Sequence, residues 1–333
     1  MKNDILEVKN LSTHFWTKAG VVKAVDDVSF KLQAGQVLGL VGESGSGKSQ
    51  TGYSILGLVD KPGQIVAGKV LLNGRDMRAL NEHELRQLRG NRIAMIFQDP
   101  MLTLNPVLRI DTQMIESVKA HLSVSNEIAR AMSREALVKV GIASPDERLK
   151  AYPHQFSGGM RQRVAIAMAL LHKPDVIIAD EPTTALDVTI QEQILFEMQK
   201  LARDSGTALI WITHDLSVIA GLADRIAVMY AGKIVEEGPS DSLLQNPKHP
   251  YTYGLINSAP SRNMRGKPLY QIPGVTPNLT NLAAGCPFKN RCARAVQACD
   301  QNPELTKTED GRSLRCFNPQ SKSNISAKEG LNL

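Results

Sequence analysis

Residues 42–49 read GESGSGKS and satisfy the pattern G-x-x-x-x-G-K-[ST] at every position. Glycines there open backbone conformations closed to other residues, so successive N–H groups along Gly42, Glu43, Ser44, Gly45, Ser46 and Gly47 can turn inward onto phosphate oxygens. The helix that follows, with Gln50 in its first turn, would add its positive end; Lys48 would reach the outer phosphates and Ser49 would ligate Mg²⁺. A second stretch, VIIADEP (176–182), is an apolar strand ending in two carboxylates. Asp180 suits the shell of Mg²⁺, and Glu181 can orient and polarise a water aimed at a γ-phosphate. Between the two lies FSGGMRQR (156–163), where Ser157, Gly158 and Gly159 open an apparent helix, MRQRVAIAMALL, whose first N–H groups suit an anion. Alone, Ser-Gly-Gly marks a helix start. Its place, 109 residues after Lys48 and 23 before Asp180, gives it weight.

These residues need elements that hold them. QVLGLVG (36–42) reads as a strand and SQTGYSILGLV (49–59) as a helix, which frames the glycine-rich turn as a phosphate site. Upstream, ILEVKNLSTHF and KAVDDVSFKL alternate in β fashion, and AGKVLLNG is hairpin-like. Apolar positions three and four apart predict helix from about 112 to 141. KPDVIIADEP, GTALIWITHDL and RIAVMYAGKIVEEG are short β-rich runs separated by helical stretches. The alternation predicts an α/β core of parallel strands covered by helices, beside an N-terminal antiparallel portion.

A chain of 333 residues has room for one large domain with an appendage or for two modest domains. No apolar run approaches the ~18 residues that cross a bilayer. The N-terminus MKNDILEVKNLSTHF lacks the apolar core of a secretory signal, which places the chain in the reducing cytosol. Lys and Arg number 39 against 33 acids, without a long basic run, and aromatics make up only 5%, which argues against nucleic acid as a partner. From about Asn246 the chain turns rich in Pro and Asn, with little core of its own, and QSKSNISAKEGLNL reads as a frayed tail. All four cysteines lie in this last region: Cys286, Cys292, Cys299 and Cys316, spaced C-x5-C-x6-C-x16-C. The spacing differs from the C-x2-C pairs of ordinary zinc sites and from the tight bacterial ferredoxin run. In a reducing compartment structural disulfides are not expected, and metal ligation and unligated structural thiols both stay open.

With these motifs in hand the chain resembles the ATP-binding cassette family along nearly its whole length. GESGSGKS looks like the family's Walker A, FSGGM its signature, VIIADE its Walker B, TALD its D-loop and ITHD its H-loop. Phe156 and Met160 depart from the usual Leu-Ser-Gly-Gly-Gln, while Ser157, Gly158 and Gly159 are intact. The resemblance implies a nucleotide-binding domain with a P-loop, RecA-like core, an antiparallel β subdomain and a helical subdomain (about 99–165), together spanning 1–245. A loop-rich cysteine-bearing region (246–320) and a flexible tail (321–333) follow. It also implies ATP and Mg²⁺ as ligands. Gln98 matches the Q-loop glutamine that contacts Mg²⁺ and water, His214 the switch histidine at the γ-phosphate, and Asp187 the D-loop acid at a dimer interface. Phe15 aligns with the aromatic that stacks on adenine, with Trp16 adjacent.

More specific stretches, MIFQDPMLTLNPVLRI, HQFSGGMRQR, NPKHPYTYGLINSAP and GCPFKNRC, resemble the ATPase subunits of bacterial oligopeptide and dipeptide permeases, the D-type in particular. That likeness implies ATP-driven peptide import at the cytoplasmic face of the inner membrane. Its implied partners are a different, F-type ATPase as heterodimer mate, two transmembrane permease subunits and an extracytoplasmic substrate-binding protein. Import of nickel or another small solute is the alternative. The likeness also favours a [4Fe–4S] cluster on the four cysteines over zinc or free thiols.

Overall fold

The computed structural model describes residues 4–183, 188–259, 263, 268–280 and 282–320. Strands β1 (Asp4–Thr17) and β2 (Gly20–Gln33) open the chain, β3 (Val37–Val41) runs toward helix α1 (Lys48–Leu56), and β4 (Gly63–Leu72) turns back as β5 (Arg75–Asp76). Helix α2 (Glu82–Leu88) and strand β6 (Ile93–Ile96) lead to α3 (Ile110–Lys119), α4 (Asn126–Lys139), α5 (Pro145–Leu149) and α6 (Gly158–Leu170). Then come β7 (Val176–Asp180), α7 (Val188–Ser205), β8 (Ala208–Thr213), α8 (Leu216–Ala220), β9 (Arg225–Tyr230) and β10 (Lys233–Pro239). Helices α9 (Ser240–Gln245) and α10 (Pro250–Asn257) and the short strands β11 (Thr306–Lys307) and β12 (Ser313–Leu314) complete the order. The chain divides into two compact units.

The first unit takes residues up to Glu7, Lys31–Val37 and Leu71–Ile212. Its β6, β7 and β8 pair in parallel, with Ile93 opposite Val176 and Val176 opposite Ala208. Every residue of β7 and β8 is buried. Burial on both faces explains why VIIA and ALIWI run apolar without alternation. The helical stretch expected at 112–141 is two helices. Ser125 caps the second by accepting from the Ile128 N–H, and buried Asp111 on α3 is paired with Arg109 and with Arg130 of α4.

The second unit takes Val8–Phe30, Leu38–Val70 and the chain from Thr213 onward. Here β3 pairs in parallel with β9, from Leu38 opposite Arg225 to Val41 opposite Val228, and β9 and β10 form an antiparallel hairpin. The Pro- and Asn-rich C-terminal region adds β12 antiparallel to β10, with Glu236 opposite Leu314. Arg312 anchors this addition. It is 1% exposed, donates to Glu236 at 3.2 Å and to the Asn246 carbonyl at 2.7 Å, and so neutralises a wholly buried carboxylate. A region short of aliphatic core packs instead through rings: Tyr230, Tyr251 and Phe288 have centroids 4.6–5.4 Å apart, with His249 5.8 Å from Phe288.

His249 caps α10 through Nδ1, which accepts from the Tyr251 N–H at 3.0 Å, while the His249 N–H donates to Glu236 at 2.8 Å. Burial pushes the imidazole down from 6.5 to about 3. An unfolded imidazole takes up its proton near 6.5, so between those values the unfolded chain binds more protons and acidification costs stability. Wild type is expected to lose about 2 kcal/mol more than His249→Asn between pH 7 and pH 5, since Asn also caps helices but does not titrate. Urea unfolding at the two pH values checks this, and equal losses would refute it.

Candidate functional site

The phosphate loop is braced by neighbouring segments of its own unit, the second. Gly47, at φ 102, is the N-cap of α1, and a Cβ there would stand 2.2 Å from the Ala24 carbonyl oxygen. At Gly42 a Cβ would meet the Met229 carbonyl oxygen at 2.3 Å. The two motif glycines are thus required by close backbone approach as well as by conformation. The Gly232 N–H donates to the Ser46 carbonyl at 2.9 Å, and the Asp26 N–H to the Gly232 carbonyl at 2.8 Å, so neighbouring turns brace the loop. Lys48, 6% exposed, donates from Nζ to the carbonyls of Gly42 (2.8 Å) and Glu43 (3.0 Å). Ser46 is fully buried and its hydroxyl has no partner. A loop with an orphaned hydroxyl, an ammonium resting on its own carbonyls and no room for a side chain at Gly42 or Gly47 fits a nucleotide phosphate.

Within the loop the Glu43 carbonyl accepts from Lys48, while its N–H and its carboxylate are held from the C-terminal region. Its N–H donates to the Tyr251 hydroxyl at 2.8 Å; its carboxylate accepts from Arg291 at 2.7 and 3.0 Å and from Thr276 at 3.0 Å. Burial opposes ionisation of Glu43, but the Arg291 and Thr276 hydrogen bonds and the Arg291 charge outweigh it and hold the carboxyl below the usual carboxylate range. Nothing local in the sequence pointed to Tyr251, Thr276 or Arg291, which lie more than 200 residues from Glu43.

In the first unit the structure brings two expected residues together: Gln98 Nε2 donates to Glu181 Oε2 at 3.3 Å. Asp180, 1% exposed, ends β7 opposite Ile212. Glu181 follows at φ 43, a left-handed conformation rare for Glu, with its N–H tied to the Ile212 carbonyl at 2.9 Å. A left-handed conformation at a non-glycine residue just past a buried strand is a strain that the surrounding structure sustains. Ser157 is the N-cap of α6, its hydroxyl accepting from the Met160 N–H at 3.3 Å, and Gly158 and Gly159 form the first turn. Phe156, the departure from the family pattern, is 3% exposed and lies under the Arg148 guanidinium, 5.8 Å from its centroid. It fills the apolar role of the usual leucine and leaves Ser157, Gly158 and Gly159 in place.

The remaining expected residues sit as follows. His214 is exposed just after β8, next to Asp215, which caps α8. Phe15 is half-buried near the end of β1, its ring edge against Gly63, where a Cβ would meet it at 2.5 Å; Trp16 is 44% exposed. Asp187 lies outside the described residues. The cysteines are unpaired, Cys299 buried and the others half-buried. The Cys286 N–H donates to the Cys299 carbonyl at 3.0 Å. Burial, and then the charge neighbouring cysteines would carry, raise Cys286, Cys292 and Cys316, the last to about 12. Among the described residues no group of three or more His, Cys, Asp or Glu is arranged to hold a metal ion, so the expected iron–sulfur ligand set finds no support in this arrangement.

Comparison with known proteins extends the geometry. The family described as ABC transporter matches residues 25–184, and that described as oligopeptide/dipeptide transporter, C-terminal region, matches 235–299. The chain is 48% identical over 315 residues to the oligopeptide transport ATP-binding protein OppD of Escherichia coli K12, covering 95% of this chain and 93% of that one. It is 47% identical to the dipeptide transport ATP-binding protein DppD of Bacillus subtilis 168, covering 94% of each. Its fold is similar to that of a dimeric ATP-binding cassette in a post-hydrolysis state bound to ADP and phosphate, with a TM-score of 0.64 at 28% identity over 71% of this chain and 98% of that one. The chain belongs to the ABC transporter family and has the ATPase cassette fold, in the group of ATP-binding subunits of oligopeptide and dipeptide permeases.

Proposed function

We propose that this chain is the ATP-hydrolysing subunit that energises peptide import across the bacterial cytoplasmic membrane. The phosphate loop, with its orphaned Ser46 hydroxyl and its Lys48 ammonium, carries this reading, and the near full-length similarity to OppD and DppD supplies the peptide substrate class. Bound Mg²⁺ would neutralise phosphate charge, with Ser49 and Asp180 as ligands and Gln98 as a further contact. Gly42, Glu43, Ser44, Gly45, Ser46, Gly47, Lys48 and Gln50 serve the phosphates, and Phe15 serves the adenine. Glu181 polarises the attacking water, and the amide of Gln98 steadies that carboxylate through their hydrogen bond. His214 contacts the γ-phosphate. Ser157, Gly158, Gly159 and Asp187 act on the companion subunit's nucleotide, because one chain with one set of motifs supplies half of each site in a paired cassette.

The companions that follow are an F-type ATPase as heterodimer mate, two transmembrane permease subunits and an extracytoplasmic binding protein. The chain itself is peripheral on the cytoplasmic face; among the described residues no helix is long and apolar enough to cross a membrane. Closure of the ATPase pair on ATP and reopening after hydrolysis would then drive the permease, the nucleotide shifting the balance by its preference for the closed state. A [4Fe–4S] cluster on Cys286, Cys292, Cys299 and Cys316 rests on family resemblance alone.

Two measurements test these readings. With the companion subunits present, Glu181→Gln is expected to keep ATP affinity while peptide-stimulated turnover falls by about 100-fold or more, the scale of a lost general base; full turnover would remove Glu181 from that role. Anaerobically purified protein would show about four iron atoms and four sulfides per chain if the cluster forms, the stoichiometry of such a cluster. Iron-free protein with intact ATPase activity would dismiss the cluster and leave the ATPase reading standing.

A further inference from the structure

The contact between the phosphate loop and the C-terminal region has a chemical peculiarity. Glu43 brings a carboxylate into a loop that must receive a polyanion. Its acid is ionised, and its Arg291 partner is held with unusual care. The Arg291 side chain is 7% exposed, its Nε donates to the Pro273 carbonyl at 2.9 Å, and its guanidinium lies 5.8 Å from the Tyr230 ring centroid and 5.9 Å from that of Phe288. At Gly274 a Cβ would stand 3.3 Å from Arg291 Cγ, so even the preceding turn is shaped around this side chain. Two parallel N–H···O bonds fix both carboxylate oxygens, and Thr276 adds a third donor. The Glu43 backbone is fixed as well, its N–H by the Tyr251 hydroxyl and its carbonyl by Lys48.

We propose that Arg291 is a positioning residue for nucleotide binding: it neutralises Glu43 and turns that carboxylate away from the incoming phosphates, making the C-terminal region part of the ATP site. Unpaired, Glu43 would repel the triphosphate and compete for the Lys48 ammonium, both within a short chain distance and partly shielded from solvent. Arg291 touches no phosphate in this account and acts only through Glu43. The proposal rests on the reading of residues 42–49 as the ATP site.

The experiment measures MgATP affinity and steady-state ATPase kinetics on the full chain with its companion subunits, for wild type, Arg291→Gln, Arg291→Lys and the double variant Glu43→Gln/Arg291→Gln. Arg291→Gln is expected to weaken MgATP binding by about tenfold, the scale of one charge-assisted hydrogen bond, raising KM with little change in kcat. Arg291→Lys, which keeps the charge and loses the fork, falls between, and the double variant recovers most of the affinity because the unpaired carboxylate is gone. Arg294→Gln serves as control: it loosens the same region by losing its bonds to Asn318 without touching Glu43, and should bind MgATP as wild type does. Unchanged affinity in Arg291→Gln, or a double variant no better than the single one, overturns the proposal. Failure of wild type to bind MgATP would instead overturn the underlying assignment of the ATP site.

Discussion

A phosphate loop must keep a row of N–H groups turned one way before any phosphate arrives, and a backbone in that state has no ladder hydrogen bonds to hold it. Here the loop is pinned from outside. Close backbone approaches at Gly42 and Gly47 exclude side chains, the Gly232 N–H takes the Ser46 carbonyl, and Glu43 is gripped at its N–H, carbonyl and carboxylate. The apolar clustering of Tyr230, Tyr251 and Phe288 helps the C-terminal region supply that grip, since Tyr230 and Phe288 flank the Arg291 guanidinium while two of its N–H groups reach Glu43.

The first unit solves a related problem by strain. The water-polarising role proposed for Glu181 needs a carboxylate that does not swing freely, and Glu181 has a left-handed backbone, an N–H tied to Ile212 and a carboxylate held by Gln98. The buried β7 that precedes it, paired on both sides, is rigid enough to sustain the cost.

What was legible in the residues was local chemistry. GESGSGKS and FSGGM suggest phosphate contacts through consecutive backbone N–H groups at a helix start, and VIIADE suggests chemistry through two carboxylates at the end of one strand, with strand, turn and helix following from the same stretches. What was not legible was long-range or ran against a local rule. The residue before a proline is normally extended, yet Glu181 precedes Pro182 and is left-handed, held so by tertiary contacts. The helical stretch expected over about 112–141 divides after Lys119, and the Ser125 cap starts the second helix. The Pro- and Asn-rich composition after Asn246 suggested an appendage, but Arg291 and Tyr251 reach back across more than 200 residues to the phosphate loop, a pairing no spacing rule encodes. The family likeness favoured shared ligation by the four cysteines, whereas among the described residues no group of three or more His, Cys, Asp or Glu is arranged to hold a metal ion.

The central claim is that the phosphate loop and the C-terminal region behave as one cooperative unit. Hydrogen–deuterium exchange on the full chain, with and without MgATP, tests it most directly. The account predicts that nucleotide slows exchange in peptides covering 38–50 and, in step, in those covering 248–258 and 286–300. Protection confined to the phosphate loop, with unchanged exchange in the C-terminal peptides, would contradict it.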